Sequence, residues 1–235
     1  MAGLSARDLL DIADEGHSLD WISRGLLIAA SAWPHASPEQ CATLPIGVRD
    51  RLVMALRVQT FGRDMSLRFR CRACGSDLVA RLDLGAVLAA HGSSPPPSIN
   101  IELDGETVEA RVPTSEDLLA TANLPPLDGE WALYRRCLTS ERQVDTAMIR
   151  QRVAEALAAA DPLAALDVEL GCAECGARYS EPFDIVTCFW KEIEAAAWRA
   201  ALDVHLLAST YGWSEEQVLS LSAARRARYL ALREP

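Results

Sequence analysis

The chain has 235 residues, half of them hydrophobic, and a formal net charge of −10 at pH 7. That is enough apolar content for one substantial core or two small ones, and the negative balance argues against general nucleic-acid binding. Met1 to Leu10 lack a basic-then-apolar signal pattern, and no apolar run approaches the roughly 20 residues that span a bilayer, so the expected location is a reducing cytoplasm with no membrane partner.

Ser5-Ala-Arg-Asp8 opens a first helix as a capping box with Asp in place of Glu, stapled by Leu4 and Leu9. A second helix is expected from about Leu19 to Ala32, with Trp21, Leu26 and Ala29 on one face and Pro34 as its stop. Ser37-Pro-Glu-Gln40 starts another, with Pro at the first helical position. After the Leu44-Pro-Ile-Gly47 break, an amphipathic helix carries Val48, Leu52, Ala55 and Leu56 inward and Arg49 and Arg57 outward, ending near Gly62. Residues 1–62 therefore read as an N-terminal helical region.

Met65-Ser-Leu-Arg-Phe-Arg-Cys71 alternates apolar and polar residues, as a half-buried strand does, and Leu78, Ala80, Leu82 and Leu84 continue the alternation beyond Cys74. A Gly92-Ser-Ser-Pro-Pro-Pro97 loop precedes the clearest hairpin, Ile99 to Leu103 and Val108 to Val112 around Asp104-Gly105. Thr114 or Ser115 caps a short helix, Trp131 to Leu138 reads as helical, and another helix runs from about Asp145 to Ala160. Asp167 to Cys172 and Tyr179 to Ile185 are strands. A long helix from Trp190 to Tyr211 ends at Gly212, and Ser214 and Ser222 cap two short final helices.

The chemistry lies in two knuckles, Cys71-Arg-Ala-Cys74-Gly75 and Cys172-Ala-Glu-Cys175-Gly176. Each sits between strand-like runs, and the trailing glycine can take the left-handed backbone of a tight turn. Four thiolates are the ligand set of a closed structural zinc site, so Zn2+ is the expected cofactor on Cys71, Cys74, Cys172 and Cys175. The pairs are 97 residues apart, against a usual 15–20. Closing that loop costs roughly 4 kcal/mol, less than the roughly 10–16 kcal/mol that structural zinc supplies in peptides. Disulfide or redox use of the same cysteines, or a role as unpaired core thiols, remains open, although redox Cys-x-x-Cys pairs usually begin a helix. Cys41, Cys137 and Cys188 are most simply buried thiols.

The expected fold class is thus α+β. Helical N- and C-terminal layers (1–62 and 188–235) pack together around a split zinc-ribbon-like β unit, 63–187, whose halves flank a large α/β insertion at 85–166. Charge is uneven: Arg49 to Arg72 holds seven arginines against Asp50 and Asp64, while Ile101 to Ala197 holds 19 acids against 8 bases. A basic end and an acidic middle suit docking between proteins, or an ordinary solvated surface. Candidate partner contacts are Arg49, Arg57, the Tyr211-Gly-Trp213 turn, Arg225 and Arg226. The four histidines show no metal-ligand spacing with one another, and His205 is expected to be packed or hydrogen-bonded. No nucleophile elbow, zinc-protease motif or phosphate loop is present, so no enzymatic activity and no small-molecule substrate are expected.

One ordered series of motifs runs along the chain. It comprises Leu44-Pro-Ile-Gly-Val-Arg-Asp50, Leu56-Arg57, Phe61-Gly62, the first knuckle, Arg111-Val-Pro-Thr-Ser-Glu-Asp-Leu118, Arg136-Cys137, Asp161-Pro162 and the second knuckle. Phe183-Asp-Ile185, Phe189-Trp-Lys-Glu192, Val204 to Ala208, Tyr211 to Glu215 and Arg225-Arg226-x-x-Tyr229-Leu230 follow. The series resembles the baseplate (hub-assembly) protein family of contractile-tailed bacteriophages and phage-tail-like contractile injection systems. The resemblance implies a non-enzymatic structural or assembly (chaperone-like) protein whose partners are other tail, hub or baseplate proteins, in the cytoplasm or built into a virion or tail-like particle. The alternative from the residues alone is a zinc-ribbon nucleic-acid or transcription-type adaptor using the Arg49 to Arg72 stripe, and a third reading is a thiol-redox enzyme.

Overall fold

The computed structural model describes residues 2–33, 35–103, 105–139 and 146–232. Pro34, Asp104 of the expected Asp-Gly turn, and the expected helix start at Asp145 lie outside them. The described residues form a mixture of helices and three two-stranded antiparallel sheets. Among the described residues no helix is long and apolar enough to cross a membrane.

Four helices come first: α1 (Ala6–Gly16), α2 (Trp21–Ala32), α3 (Pro38–Ala42) and α4 (Ile46–Phe61). Ser5 and Asp8 close the expected capping box on α1, and Ser37 and Gln40 close one on α3. Asp20 caps α2 by accepting from the Ile22 and Ser23 amides. Trp21 does not share the buried face of α2; it is 48% exposed, and Ile22 takes the core position instead. Gly62, with φ +91°, ends α4 where its Cβ-free backbone is needed.

β1 (Asp64–Arg70) pairs in register with β2 (Asp77–Asp83), so that Met65, Leu67 and Phe69 stand opposite Leu82, Ala80 and Leu78. The strand pattern does not continue through Leu84 as expected. Asp83 accepts a hydrogen bond from the Ala86 amide and starts α5 (Leu84–Ala90). β3 (Ile99–Leu103) and β4 (Glu106–Ala110) form the expected hairpin, with Gly105 at φ +82° in its turn. Thr114 caps α6 (Ser115–Thr121) in a capping box with Asp117. Then come α7 (Pro126–Cys137), which begins earlier than expected with proline in its first turn, and α8 (Ala147–Ala160).

After a 3-10 turn at Pro162–Ala165, β5 (Asp167–Gly171) pairs with β6 (Arg178–Pro182). α9 (Ile185–Tyr211) then runs 27 residues, roughly 40 Å, followed by α10 (Glu215–Leu219) and α11 (Ala223–Ala231). It begins five residues before the expected start, because Asp184 accepts from both the amide and the hydroxyl of Thr187.

α9 is the axis of the main core. Its first half carries Ile185, Val186, Phe189, Trp190 and Ile193 against α1, α2 and α4. The inner faces of both outer hairpins, Met65 and Leu67 on one and Val168 and Leu170 on the other, join the same core. A second cluster lies inside the intervening segment: Ile101, Leu103 and Val108 of the central hairpin pack on Trp131, Ile149, Val153 and Leu157. Of the single cysteines, Cys41 and Cys137 are buried and Cys188 is half-buried, and all seven cysteines are free thiols.

Candidate metal centre

The two knuckles fold alike because they share the Cys-x-x-Cys-Gly pattern. In the first, the Cys71 amide donates to the Ser76 carbonyl at 2.8 Å and the Gly75 amide to the Cys71 carbonyl at 2.9 Å. In the second, the Cys172 amide donates to the Ala177 carbonyl and the Gly176 amide to the Cys172 carbonyl, both at 2.9 Å. Gly75 (φ +76°) and Gly176 (φ +73°) occupy the left-handed region that closes each turn. Each turn bends a strand back on itself and leaves its first cysteine buried and its second exposed.

The outer hairpins bring the turns together tip to tip. Cys71 Sγ lies 3.7 Å from Cys175 Sγ, and Cys74 Sγ lies 3.6 Å from Cys172 Sγ. All four sulfurs lie within 4.8 Å of one another, and they are the single such grouping of ligand atoms among the described residues. Four sulfurs at about 2.3 Å from a common centre would have edges of about 3.8 Å, so the cluster fits a tetrahedral ion with little adjustment. The four cysteines expected as ligands are therefore the four that meet, and they can hold a metal ion.

Local dipoles already favour thiolate on the first knuckle. The backbone N–H groups of Cys74 and Ala73 lower the Cys71 thiol from its ordinary value. Cys74 is brought down to about 6, first by hydrogen bonding to the Ser76 hydroxyl and then by the Ser76 amide. Cys175 behaves differently. The Ala177 amide favours its thiolate, but sharing protons with Cys172 and Cys74 outweighs that and pushes it up to about 12. Four packed thiols cannot all ionise without a cation between them, and a divalent ion removes that conflict.

Polar contacts beside the sulfurs hold the hairpins in the same relation. Arg72 pairs with Glu181 at 2.6 Å and lies over the Tyr179 ring, and the Tyr179 hydroxyl donates to the Arg70 carbonyl. These are exposed contacts of modest strength.

The expected partner contacts fare differently. Arg49 and Arg57 are not outward; they are 2% and 3% exposed. Arg49 pairs with Asp50 at 2.7 Å and donates to the Ser115 hydroxyl. Arg57 grips Glu192 of α9 through two nitrogens and donates to the carbonyls of Gly62 and Asp64, tying α4, α9 and β1 into one corner. Burial of a guanidinium is tolerable only with such complete pairing. Arg226 is likewise buried, paired with Asp203 and the Leu221 carbonyl, while Arg225 is exposed. Tyr211 and Trp213 stack at 4.9 Å, and both meet Tyr229 edge-on, so this turn is a corner between α9 and α11 with Tyr211 still 38% exposed. His205 is exposed on α9.

Sequence reasoning did not foresee a second gathering of polar residues, far from the sulfurs. Pro45 bridges Thr114, and the Ile46 amide donates to the Pro113 carbonyl. The Gly47 amide donates to Asp161 at 2.8 Å, and a Cβ on Gly47 would lie 1.8 Å from the Asp161 carboxylate. Asp117, 1% exposed, receives Arg111 in a two-pronged contact and also Arg136 Nε and the Thr114 amide. Burial raises the Asp117 pKa, but Arg111 and the Thr114 amide override it and hold the carboxyl well below the usual range. The signal was present as an Arg-x-Pro-Thr-x-x-Asp string and an Asp-Pro step, but only the fold shows that they meet. Set against protein-family models, curated proteins and solved structures, the chain matches none of them.

Proposed function

We propose that this chain is a non-enzymatic, zinc-stabilised structural or assembly protein of a contractile tail or tail-like injection-system baseplate. The observation that carries the first half is the four-sulfur cluster formed by two Cys-x-x-Cys pairs 97 residues apart. All four protein ligands are present, which leaves no open position for a substrate or an activated water, as a structural site requires and a catalytic one does not. The hairpins and their metal form a split zinc-ribbon-like unit that staples the intervening segment to the helical core. Bound zinc would supply a fixed tetrahedral anchor and no chemistry beyond that.

The tail assignment rests on the ordered motif series from Leu44 to Leu230. The adaptor alternative has less of its stripe at the surface than the sequence suggests, because Arg49 and Arg57 are buried, although Arg63, Arg70 and Arg72 stay exposed. Arg49, Arg57, Arg63, Arg70 and Arg72 pair with carboxylates, and Arg51 holds the carbonyls that follow α5.

Affinity co-purification of the tagged protein from its native producer, with mass spectrometry, tests the assembly reading. Recovery of tail-tube, hub or wedge proteins is the expected result. Recovery of polymerase or ribosome components would contradict it, as would absence of the protein from both tail particles and every tail-protein pull-down.

A further inference from the structure

Between the N-terminal helices, the segment 113–165 and the start of α9 lies a cleft of about 480 Å³. That size is within the range of pockets that enclose a small molecule or a large side chain. Its apolar walls include Ile46, Leu118, Leu157 and Phe183, and Trp21 stands at its edge, 48% exposed. Four charged residues also line it: Arg49, Asp50, Asp161 and Asp184.

The charges do not balance. Arg49 places both Nε and Nη2 on Oδ1 of Asp50, and its remaining nitrogen on Ser115. No hydrogen bond to Asp50 Oδ2 forms among the described residues, although Asp50 is only 9% exposed. Asp161, 4% exposed, accepts the Gly47 amide but pairs with no cationic side chain among the described residues. The next cation, Arg51, places its two terminal nitrogens on the carbonyls of His91, Gly92 and Ser93, and its buried Nε has no hydrogen-bond partner among the described residues. Asp184 is occupied as the cap of α9. Desolvation raises the pKa of both Asp50 and Asp161; Arg49 offsets part of this at Asp50, where Asp184 and Asp161 add like charge, and the Gly47 amide, Arg51 and Arg49 offset part of it at Asp161. Two buried carboxylates, with exposed Asp184 beside them, share one lining arginine that is already committed, so the lining of the cleft is net negative.

A metal ion does not suit the gap, because these carboxylate oxygens do not converge to ligand distances as the cysteine sulfurs do. A planar, delocalised cation on an apolar stem does suit it, since its donors can span separated carboxylates while the stem covers the walls. We propose that the cleft receives an arginine side chain from a protein partner, its guanidinium meeting Asp161 and the free edge of Asp50 and its stem lying between Ile46, Leu118 and Phe183. The pocket chemistry stands without the assembly reading; only the source of the arginine, a partner chain, rests on it.

The test is calorimetric titration of the full, zinc-loaded chain with N-acetyl-arginine N-methylamide, the isosteric but uncharged N-acetyl-citrulline N-methylamide, and agmatine. Blocked arginine is expected to bind at least about tenfold tighter than blocked citrulline, a difference of about 1.4 kcal/mol, and no more weakly than agmatine. Asp50→Asn strips Arg49 of its buried partner and is liable to unfold the chain, so Ala158→Leu, which fills the cleft and touches no charge, is the deciding variant. With its zinc content and circular dichroism unchanged, Ala158→Leu should abolish binding. Equal affinity for arginine and citrulline, no binding of either, or binding that survives Ala158→Leu would overturn the pocket. Tighter binding of agmatine than of blocked arginine would overturn the protein-borne source. A failed co-purification of tail proteins would leave the pocket itself intact.

Discussion

The sulfur cluster and the buried arginine–carboxylate network both tie the middle of the chain to its ends, by opposite means. The cluster joins two tips, with two of its four cysteines exposed, and a bound ion would concentrate its strength at one point. The network joins α4 to α6, α7 and the Asp161 step through many hydrogen bonds onto buried carboxylates and the buried Ser115, two of them from partly exposed arginines. A metal junction needs only local geometry repeated twice. A buried polar junction needs every partner in place, because a missing one leaves a charge without solvent or counter-ion. The first kind can fail by losing its ion. The second fails only by losing the fold.

The largest effect is expected at the metal. Cys74→Ser or Cys175→Ser should release the ion and remove much of the roughly 10–16 kcal/mol that a structural zinc supplies in peptides. Metal content and the melting curve read this directly, and a variant with full metal and an unchanged curve would refute the shared four-thiolate site. Next comes Asp117→Ala, which removes the buried acceptor of Arg111, Arg136 and the Thr114 amide together and, since both arginines keep solvent access, should cost about 2 kcal/mol in chemical denaturation. Metal content should stay at the wild-type level in that variant, which separates the two junctions.

A pH titration followed by carboxyl NMR sharpens the contrast within the network. Asp50, with its pKa raised by burial to about 6 from an ordinary 3.8, holds a proton in the folded state where the unfolded chain has already lost it. It therefore opposes folding above about pH 6, and that cost disappears as pH falls through the ordinary value. Asp117 has the reverse sign: its depressed pKa supports folding above 3.8, and the support is lost as pH falls through the folded value. Asp50 titrating near 4, or Asp117 near 4, would contradict these placements. The smallest effect is expected for Arg72→Ala, whose exposed pair with Glu181 should be worth about 0–1 kcal/mol, with metal retained.

Legibility followed the same divide. The knuckles, the three hairpins and most helix caps were readable because each is set by neighbours within a few residues: a Cys-x-x-Cys-Gly turn, strict alternation, or Ser37 and Gln40 three apart. Two elements were misjudged although their signal was local. Leu84 continued an alternation that Asp83 in fact ends by capping α5, and Asp184 with Thr187 marked a helix start five residues before Trp190. Arg49 and Arg57 were a different matter. Helical periodicity assigns arginine to the solvent side, and only partners at Ser115 and Glu192, 66 and 135 residues away, reverse that assignment. The cleft was invisible for the same reason, since its charged residues come from three separate parts of the chain.

The most direct test of the metal junction is zinc quantification on anaerobically purified protein, with X-ray absorption at the zinc edge. One zinc per chain with four sulfur neighbours at about 2.3 Å is the predicted result, and it should vanish in Cys175→Ser. Substoichiometric metal, or nitrogen and oxygen neighbours in place of sulfur, would show that the two knuckles do not share one ion.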